Sequence, residues 1–361
     1  MHGLYDSFLI YAIPVFSILG GPMKKNIHII ILCLFVAIFS IFSLFNQETL
    51  SYWERRKLEP FPKFSWSQIQ SGRYTKQMDA YINDHFILRP FWLRLSQFGW
   101  GKQDVILQEH SAILEEYPLN RDAVHKNEDH LESIAKQFKQ AKIAIIPDKA
   151  YFLKGTKNLR MDYDSLFAAY STWDAIPIHQ NLKLSDYYLS DPHWKMDALE
   201  PIAQTIAKEY GVHLETFNKE KVTTSFLGQQ GLYTEKETIY RLMHPQYQNI
   251  RVQDIEHQKE IKLFDASALT SMDPYSYFLY GPLSMVTLEN DESTSNKELV
   301  IFRDSFSSSI APLFATGFKK VTLIDIRKIS YAQAIKYVDI ENAEALFLFS
   351  ASTLNSENIF K

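Results

Sequence analysis

The chain has 361 residues, 46% of them hydrophobic, enough for one large packed domain or two ordinary ones and too apolar for a disordered chain. Its 42 acidic and 38 basic residues give a net charge of −4 and are dispersed, so no basic block is present to track a phosphate backbone and nucleic acid is not an expected partner. A single cysteine excludes an intramolecular disulfide and a cysteine zinc site. The 25 Phe, 20 Tyr and 6 Trp fit an aromatic core and equally a carbohydrate-facing surface.

Residues 1–22 read as an extension ahead of Met23-Lys24-Lys25, which has the look of the start of a signal-anchor protein. From Ile27 to Phe45 the chain is almost unbroken apolar, close to the roughly 20 residues that cross a bilayer as a helix. Residues 23–47 are therefore expected to be an uncleaved transmembrane anchor, since no small-residue cleavage site closes the run. Lys24 and Lys25 before it leave the N-terminus cytoplasmic, which predicts a single-pass protein of the cell membrane whose remaining chain is extracytoplasmic. Cys33 lies inside the run, and Leu34 to Phe39 continue past it, against lipidation.

Residues 48–130 begin as a charged, proline-punctuated stalk and become an amphipathic helical region. Asp84 and His85 are adjacent and point apart, so they read as helix-surface groups. From residue 131 to 361 helices and strands alternate. LESIAKQFKQA (131–141) is a predicted helix, KIAIIP (142–147) a buried strand, and ELVIF (298–302), KVTLIDI (320–326) and EALFLFS (344–350) further strands. SSSIAPLFATGF and ISYAQAIKYV are the helices between the last three, and NDESTSNKE (290–298) is a surface loop. Apolar strands separated by helices predict an α/β domain with a mostly parallel sheet covered on both faces.

Two segments carry chemistry. The strand ending at Phe302 runs into Arg303-Asp304-Ser305 and then a helix, which exposes Ser305 at the carboxyl edge of the sheet beside the free N–H groups of the next helix. Such a serine suits a nucleophile, and those N–H groups suit an oxyanion. The same two residues, Asp304 and Ser305, also fit an ordinary helix N-cap. The second segment is Asp191-Pro192-His193-Trp194. Two residues apart in an extended stretch, Asp191 and His193 face one side, so the carboxylate can accept from one imidazole nitrogen and leave the other free for a proton. Trp194 can pack against the imidazole. A histidine in a polar loop also has a purely structural reading. His110, His125 and His130 are widely spaced without a ligand pattern, and no nucleotide-binding glycine motif occurs, so neither a metal nor a cofactor is expected.

In order and context these segments resemble the DHHW proteins and their relatives, the SGNH-hydrolase-like alginate O-acetyltransferases. The resemblance rests on Asp191-Pro192-His193-Trp194, Phe302-Arg303-Asp304-Ser305-Phe306 and Ile324-Asp325-Ile326-Arg327, with Ile146-Pro147-Asp148-Lys149 and Asp84-His85-Phe86-Ile87-Leu88-Arg89 upstream. It spans about residues 50 to 350. It implies an SGNH-hydrolase-like fold, with Ser305 as nucleophile, His193 as general acid and base and Asp191 as the orienting carboxylate. It further implies O-acetyl transfer to a polysaccharide acceptor, in partnership with a membrane-bound O-acyltransferase. Pro192 stands where the family has its first histidine. Gly281, in YFLYGPLSM, is the candidate oxyanion donor besides the Ser305 N–H, and Arg303 and Trp194 are further oxyanion or substrate candidates. A carbohydrate esterase and a catalytically weak glycan-binding or scaffold subunit are the alternative functions.

Overall fold

The computed structural model describes residues 29–31, 33–34, 49–51, 56–86, 89, 91–92, 105–114, 118–154, 161–231, 233–357 and 359–361. Most of the apolar run expected to span the membrane lies outside them, and residues 1–22 lie outside them entirely. Among the described residues no helix is long and apolar enough to cross a membrane. The chain divides into two compact units, one of Met1–Ser51 with Arg56–Leu95 and one of Tyr52–Arg55 with Ser96–Lys361.

In the smaller unit, strands β1 (Leu50–Ser51) and β2 (Arg56–Lys57) pair antiparallel, followed by helices α1 (Trp66–Gln70) and α2 (Arg73–Asp84). His85 is not a surface group. It is buried, stacks on Tyr81 with ring centroids 4.0 Å apart, and its Nδ1 lies 2.9 Å from the Tyr81 carbonyl at the helix end. Asp84 accepts the Glu59 N–H at 2.8 Å.

The larger unit opens with a hairpin of β3 (Val105–Gln108) and β4 (Ser111–Leu114) and continues into helix α3 (Arg121–Ala135). That helix crosses the boundary expected at 130/131. It starts ten residues before the predicted Leu131 and stops at Ala135. Its first half escaped the apolar spacing because an inward position is polar: Asn127 is buried and donates to the Leu354 and Ser356 carbonyls, both at 2.9 Å. Asn120 caps the helix by accepting the Ala123 N–H at 3.1 Å.

Then follow β5 (Ala141–Ile146), α4 (Tyr163–Ala169), α5 (Glu200–Glu209), the hairpin β6 (Asn218–Phe226) and β7 (Glu237–Met243), β8 (Arg251–Asp254), β9 (Lys259–Ile261) and β10 (Met285–Glu289). The chain closes with β11 (Glu298–Arg303), α6 (Ser307–Phe314), β12 (Lys320–Ile324), the single-turn α7 (Tyr331–Ala334), β13 (Ala343–Ser350) and α8 (Ala351–Leu354).

Seven strands form one sheet in the order β5-β13-β11-β12-β10-β8-β9. The four strands read from the sequence are the parallel ones, and β10, β8 and β9 extend the sheet antiparallel, so it is mixed. Alternate side chains leave each strand toward opposite faces. Leu299 and Ile301 of β11, with Leu346 and Leu348 of β13, pack on α5 and α6 in one core. Val300 and Phe302, with Phe347 and Phe349, pack on α3, α4 and α8 in the other. Both faces are covered, which is why these strands read as continuous apolar runs. The carboxyl ends of β5, β11 and β13 lie side by side at one edge, because the three run parallel in adjacent places. Asp148 and Ser305 stand just past the ends of β5 and β11, and Ser350 is the last residue of β13.

Candidate active site

Ser305 stands two residues after the end of β11 and two residues before α6. Its hydroxyl Oγ lies 2.8 Å from His193 Nε2, and His193 Nδ1 lies 2.5 Å from Asp191 Oδ1. With Nδ1–H donating to the carboxylate, Nε2 is left as the acceptor of the Ser305 proton. Asp191 is fully buried. Burial opposes its ionisation, but His193 and the N–H groups of Gln229 and His193 outweigh that cost and hold its carboxyl below the usual range. The Gln229 N–H reaches Oδ2 at 3.0 Å and the His193 N–H reaches Oδ1 at 3.1 Å. The arrangement can hand a proton from serine to histidine and stabilise the imidazolium that results.

The serine turn is held from below. Asp304, two per cent exposed, accepts the Phe306 N–H at 3.1 Å on Oδ1. On Oδ2 it accepts the Ser350 N–H and hydroxyl, both at 2.7 Å, and the Thr353 hydroxyl at 2.9 Å. The N-cap position of α6 falls to Phe306, whose N–H Asp304 accepts, so neither Asp304 nor Ser305 is the cap and the Ser305 hydroxyl is turned to His193. The Ser305 N–H meets no acceptor among the described residues.

The further candidates stand elsewhere. Gly281 lies in a left-handed turn, φ 77°, and its N–H donates to the Phe278 carbonyl at 3.1 Å, so it has no proton to offer an oxyanion. A Cβ there would collide with Ser276 Oγ, which accounts for the glycine by its backbone. Arg303 is fully buried beneath the turn, donating to Ser308 Oγ at 3.0 Å and the Leu283 carbonyl at 2.9 Å. Burial lowers its pKa, against Asp325 and Asp304, which favour the cation. It braces the turn out of a substrate's reach. Asp325 in turn makes a two-pronged pair with Arg327, both contacts 2.8 Å. Trp194 is also fully buried, its indole N–H shared between the Phe306 carbonyl at 2.9 Å and Ser309 Oγ at 3.0 Å. It anchors the His193 loop to α6 and is not the ring beside the imidazole.

That ring is Tyr275, whose plane lies 9° from that of His193 with centroids 3.8 Å apart. Its hydroxyl donates to Ser309 Oγ at 2.9 Å, and burial holds the phenol well above its usual pKa, so it stays neutral. A π face there favours the imidazolium. Tyr275 sits in a run of aromatics with no period to single it out. The other contributors absent from the sequence reading are Gly228 and Gln229. Their only signal is Gly228-Gln229-Gln230-Gly231, a glycine-flanked polar turn. The Gly228 N–H donates to Ser190 Oγ at 2.8 Å, and Glu237 receives the Ser190 N–H at 3.1 Å.

Lys149 explains the upstream Pro-Asp-Lys. Its buried ammonium donates to the carbonyls of Tyr188, Leu189 and Asp191 at 2.9, 3.1 and 3.3 Å, clamping the loop that carries Asp191 and His193. Burial pulls its pKa down to about 7, against Asp191 and Glu237, which raise it. Asp148 accepts the Ser352 N–H at 2.8 Å and hydroxyl at 2.9 Å.

No family model matches the sequence, and no curated protein matches it. Solved structures do. A DHHW-family protein from Eubacterium siraeum matches over 71% of this chain and 95% of its own, at 16% identity and a TM-score of 0.55. Bacillus cereus PatB1 bearing a sulfonyl adduct matches over 71% and 97%, at 15% identity and a TM-score of 0.58. The O-acetyltransferase domain of Pseudomonas putida AlgJ matches over 70% and 93%, at 12% identity and a TM-score of 0.42. The chain shares the fold of the DHHW-family protein and of PatB1.

Two outcomes follow from the supports of His193. In Gly228→Ala the new Cβ would overlap Asp191 Cβ and Oδ2 and lie 2.7 Å from the Ser190 carbonyl, so the carboxylate must move. Overpacking of this kind costs about 1–3 kcal/mol. The reaction of Ser305 with a sulfonyl fluoride should slow by roughly 10-fold or more, given that a small misplacement of a catalytic group costs up to about 100-fold; a wild-type rate would show that Asp191 does not orient His193. For Lys149 the unfolded pKa of 10.5 lies above the folded value, so the unfolded chain binds the extra proton. Its contribution to stability is present above the unfolded pKa and is lost as pH falls through about 7. Denaturant unfolding of wild type and Lys149→Met should therefore diverge in favour of wild type as pH rises from about 6 to about 10. A difference independent of pH would mean that Lys149 keeps its ordinary pKa.

Proposed function

We propose that the chain is a membrane-anchored, extracytoplasmic serine O-acyltransferase, moving an acyl group, acetyl in the simplest case, onto a hydroxyl of a cell-envelope or exported polysaccharide. The observation that carries this reading is the continuous run from Ser305 Oγ to His193 Nε2 at 2.8 Å and from His193 Nδ1 to Asp191 at 2.5 Å, at the carboxyl edge of the sheet. The motif order shared with DHHW proteins and the fold shared with PatB1, seen with a sulfonyl adduct, support it.

In the first half-reaction Ser305 Oγ attacks the acyl carbonyl carbon as His193 Nε2 takes its proton. The oxyanion forms near the Ser305 N–H and the positive end of α6. The carbonyl reforms, the bond to the leaving oxygen breaks, and His193 returns the proton to that oxygen, leaving an acyl-serine. An acceptor hydroxyl then gives its proton to His193, attacks the acyl carbon, and expels Ser305, which regains the proton. Water in place of the acceptor makes the same steps an esterase. The donor is an acyl ester, whose alkoxy oxygen is that leaving atom; a membrane-bound O-acyltransferase partner is the proposed source across the bilayer. The observation that favours the second reading, a glycan-binding subunit with weak catalysis, is the turn that occupies the Gly281 N–H.

Phenylmethanesulfonyl fluoride separates the two. It should add one sulfonyl group to Ser305 by mass spectrometry and block transfer from an activated acetyl ester. Ser305→Ala should abolish both while shifting unfolding by no more than a lost cap, about 0.5–2 kcal/mol. Equal labelling of wild type and variant would leave the binding-subunit reading. The topology rests on the apolar run Ile27 to Phe45 behind Lys24 and Lys25. Protease added to intact spheroplasts should digest the chain beyond residue 50, and protection until lysis would reverse the orientation.

A further inference from the structure

The smaller unit carries large aromatic side chains turned to solvent. Phe61, Phe64 and Trp66 are 56, 64 and 72% exposed, and Ile69, one turn along α1 from Trp66, is exposed as well. No residue of α1 is buried. The rings form a continuous ridge along one side of α2. Tyr74 and Tyr81, seven residues apart, share that side of the helix. Phe64 meets Tyr74 edge-on with ring centroids 6.0 Å apart, Phe61 meets Tyr81 at 5.1 Å, and Trp66 meets Phe64 at 5.5 Å. Apolar side chains exposed together in this way mark an interaction surface, which singly scattered ones do not.

Charge and chain length choose the occupant. From Pro60 to Met78 the chain has Lys63, Arg73 and Lys76 and no acidic residue, in a protein whose net charge is −4. All three cations are exposed. Aromatics interleaved with such cations match the boundary between bilayer headgroups and acyl chains, where aromatic rings settle and lysine and arginine reach anionic lipid. That boundary is within reach. The apolar run Ile27 to Phe45 ends four residues before Thr49, at most about 14 Å of chain. The Leu58 N–H bonds the Thr49 carbonyl at 3.0 Å, so the paired strands β1 and β2 return the chain to that point. Phe61 and Phe64 follow Leu58 by three and six residues, at most about 11 and 22 Å. A glycan or a second copy of the chain has no such tether to this face.

We infer that this face of the smaller unit lies in the headgroup region of the membrane, with Phe61, Phe64 and Trp66 inserted and Lys63, Arg73 and Lys76 against anionic lipid. This part of the expected stalk is then seated on the bilayer and does not stand away from it. The inference rests on the membrane-anchored reading, and its test separates the two. Full-length chain with Cys33→Ala, which removes its one cysteine, receives a nitroxide at Ser67→Cys on α1 or, as a control, at Ser133→Cys, exposed on α3. Both positions follow the apolar run, so they face one compartment. In vesicles of phosphatidylcholine with phosphatidylglycerol, the label at position 67 should collide several-fold less with a water-soluble nickel chelate than the label at 133, and more with oxygen, which concentrates in lipid. Phe64→Ser with Trp66→Ser should bring the two labels level. Lys63→Glu with Lys76→Glu should raise nickel access at 67 as well, and stands in if the serine variant melts early. Nickel access at 67 equal to that at 133, or shielding unchanged in both variants, would overturn the inference. So would loss of both nickel and oxygen collisions, which assigns the face to a second copy, or shielding by an N-acetylglucosamine tetrasaccharide of a label that vesicles leave open, which assigns it to glycan. Alkaline carbonate tests the anchor by itself. Chain that washes off vesicles in which position 67 was shielded loses the anchor and keeps the lipid-facing surface. Chain that stays with position 67 open does the reverse.

Discussion

The buried carboxylate of Asp304 is the constraint on which the site depends. It takes four hydrogen bonds, one from the start of α6, two from Ser350 at the end of β13 and one from Thr353 in α8. Hydrogen bonds to an ionised group are worth about 1.5–3 kcal/mol each, and losing one partner of a buried charge costs more. Two neighbouring parallel strands are thereby tied at their carboxyl ends. The Ser305 turn cannot shift without uncovering a charge in the core, so the serine hydroxyl stays presented. Arg303 supports the same turn from beneath by bonding Ser308 and the Leu283 carbonyl.

The histidine arrives from a loop closed on itself by one antiparallel bridge, Tyr187 to Trp194, and the rest of its placement is built from outside. The Lys149 ammonium gathers three carbonyls of that loop, Trp194 pins its far side to α6, and the turn at Gly228 closes over Asp191 so tightly that no side chain fits. Tyr275 supplies the face on which the imidazole lies. Each support comes from a different stretch of chain. Together they hold His193 at hydrogen-bond length from both Ser305 and Asp191.

Those supports separate what a linear reading reaches from what it misses. The four parallel strands were legible because burial on both faces makes a strand continuously apolar. Strand β8 was not, since Arg251–Asp254 lies toward the sheet edge with alternate residues in solvent and is only four residues long. The front half of α3 was hidden by Asn127, a polar side chain turned inward to satisfy two carbonyls of the chain after α8. The expectation for Trp194 placed a neighbour in sequence against His193, whereas the residue stacked there is 82 positions away by numbering, Tyr275. Gly281 was chosen as a donor from its residue type; its N–H was already committed to a local turn, which no sequence pattern reveals.

By itself the sequence singled out Asp191, His193 and Ser305 and their chain order, because an Asp-x-His step and a serine at the end of an apolar strand are local features with local geometry. It determined the parallel core through the alternation of apolar strands and helices. Tertiary structure alone decided that Ser305 and His193, 112 residues apart, come within 2.8 Å. It also decided which carbonyls hold Lys149 and which glycine makes room for Asp191. Those depend on side chains meeting from separate segments, and hydrogen-bond partners at long separation leave no periodic trace in the chain.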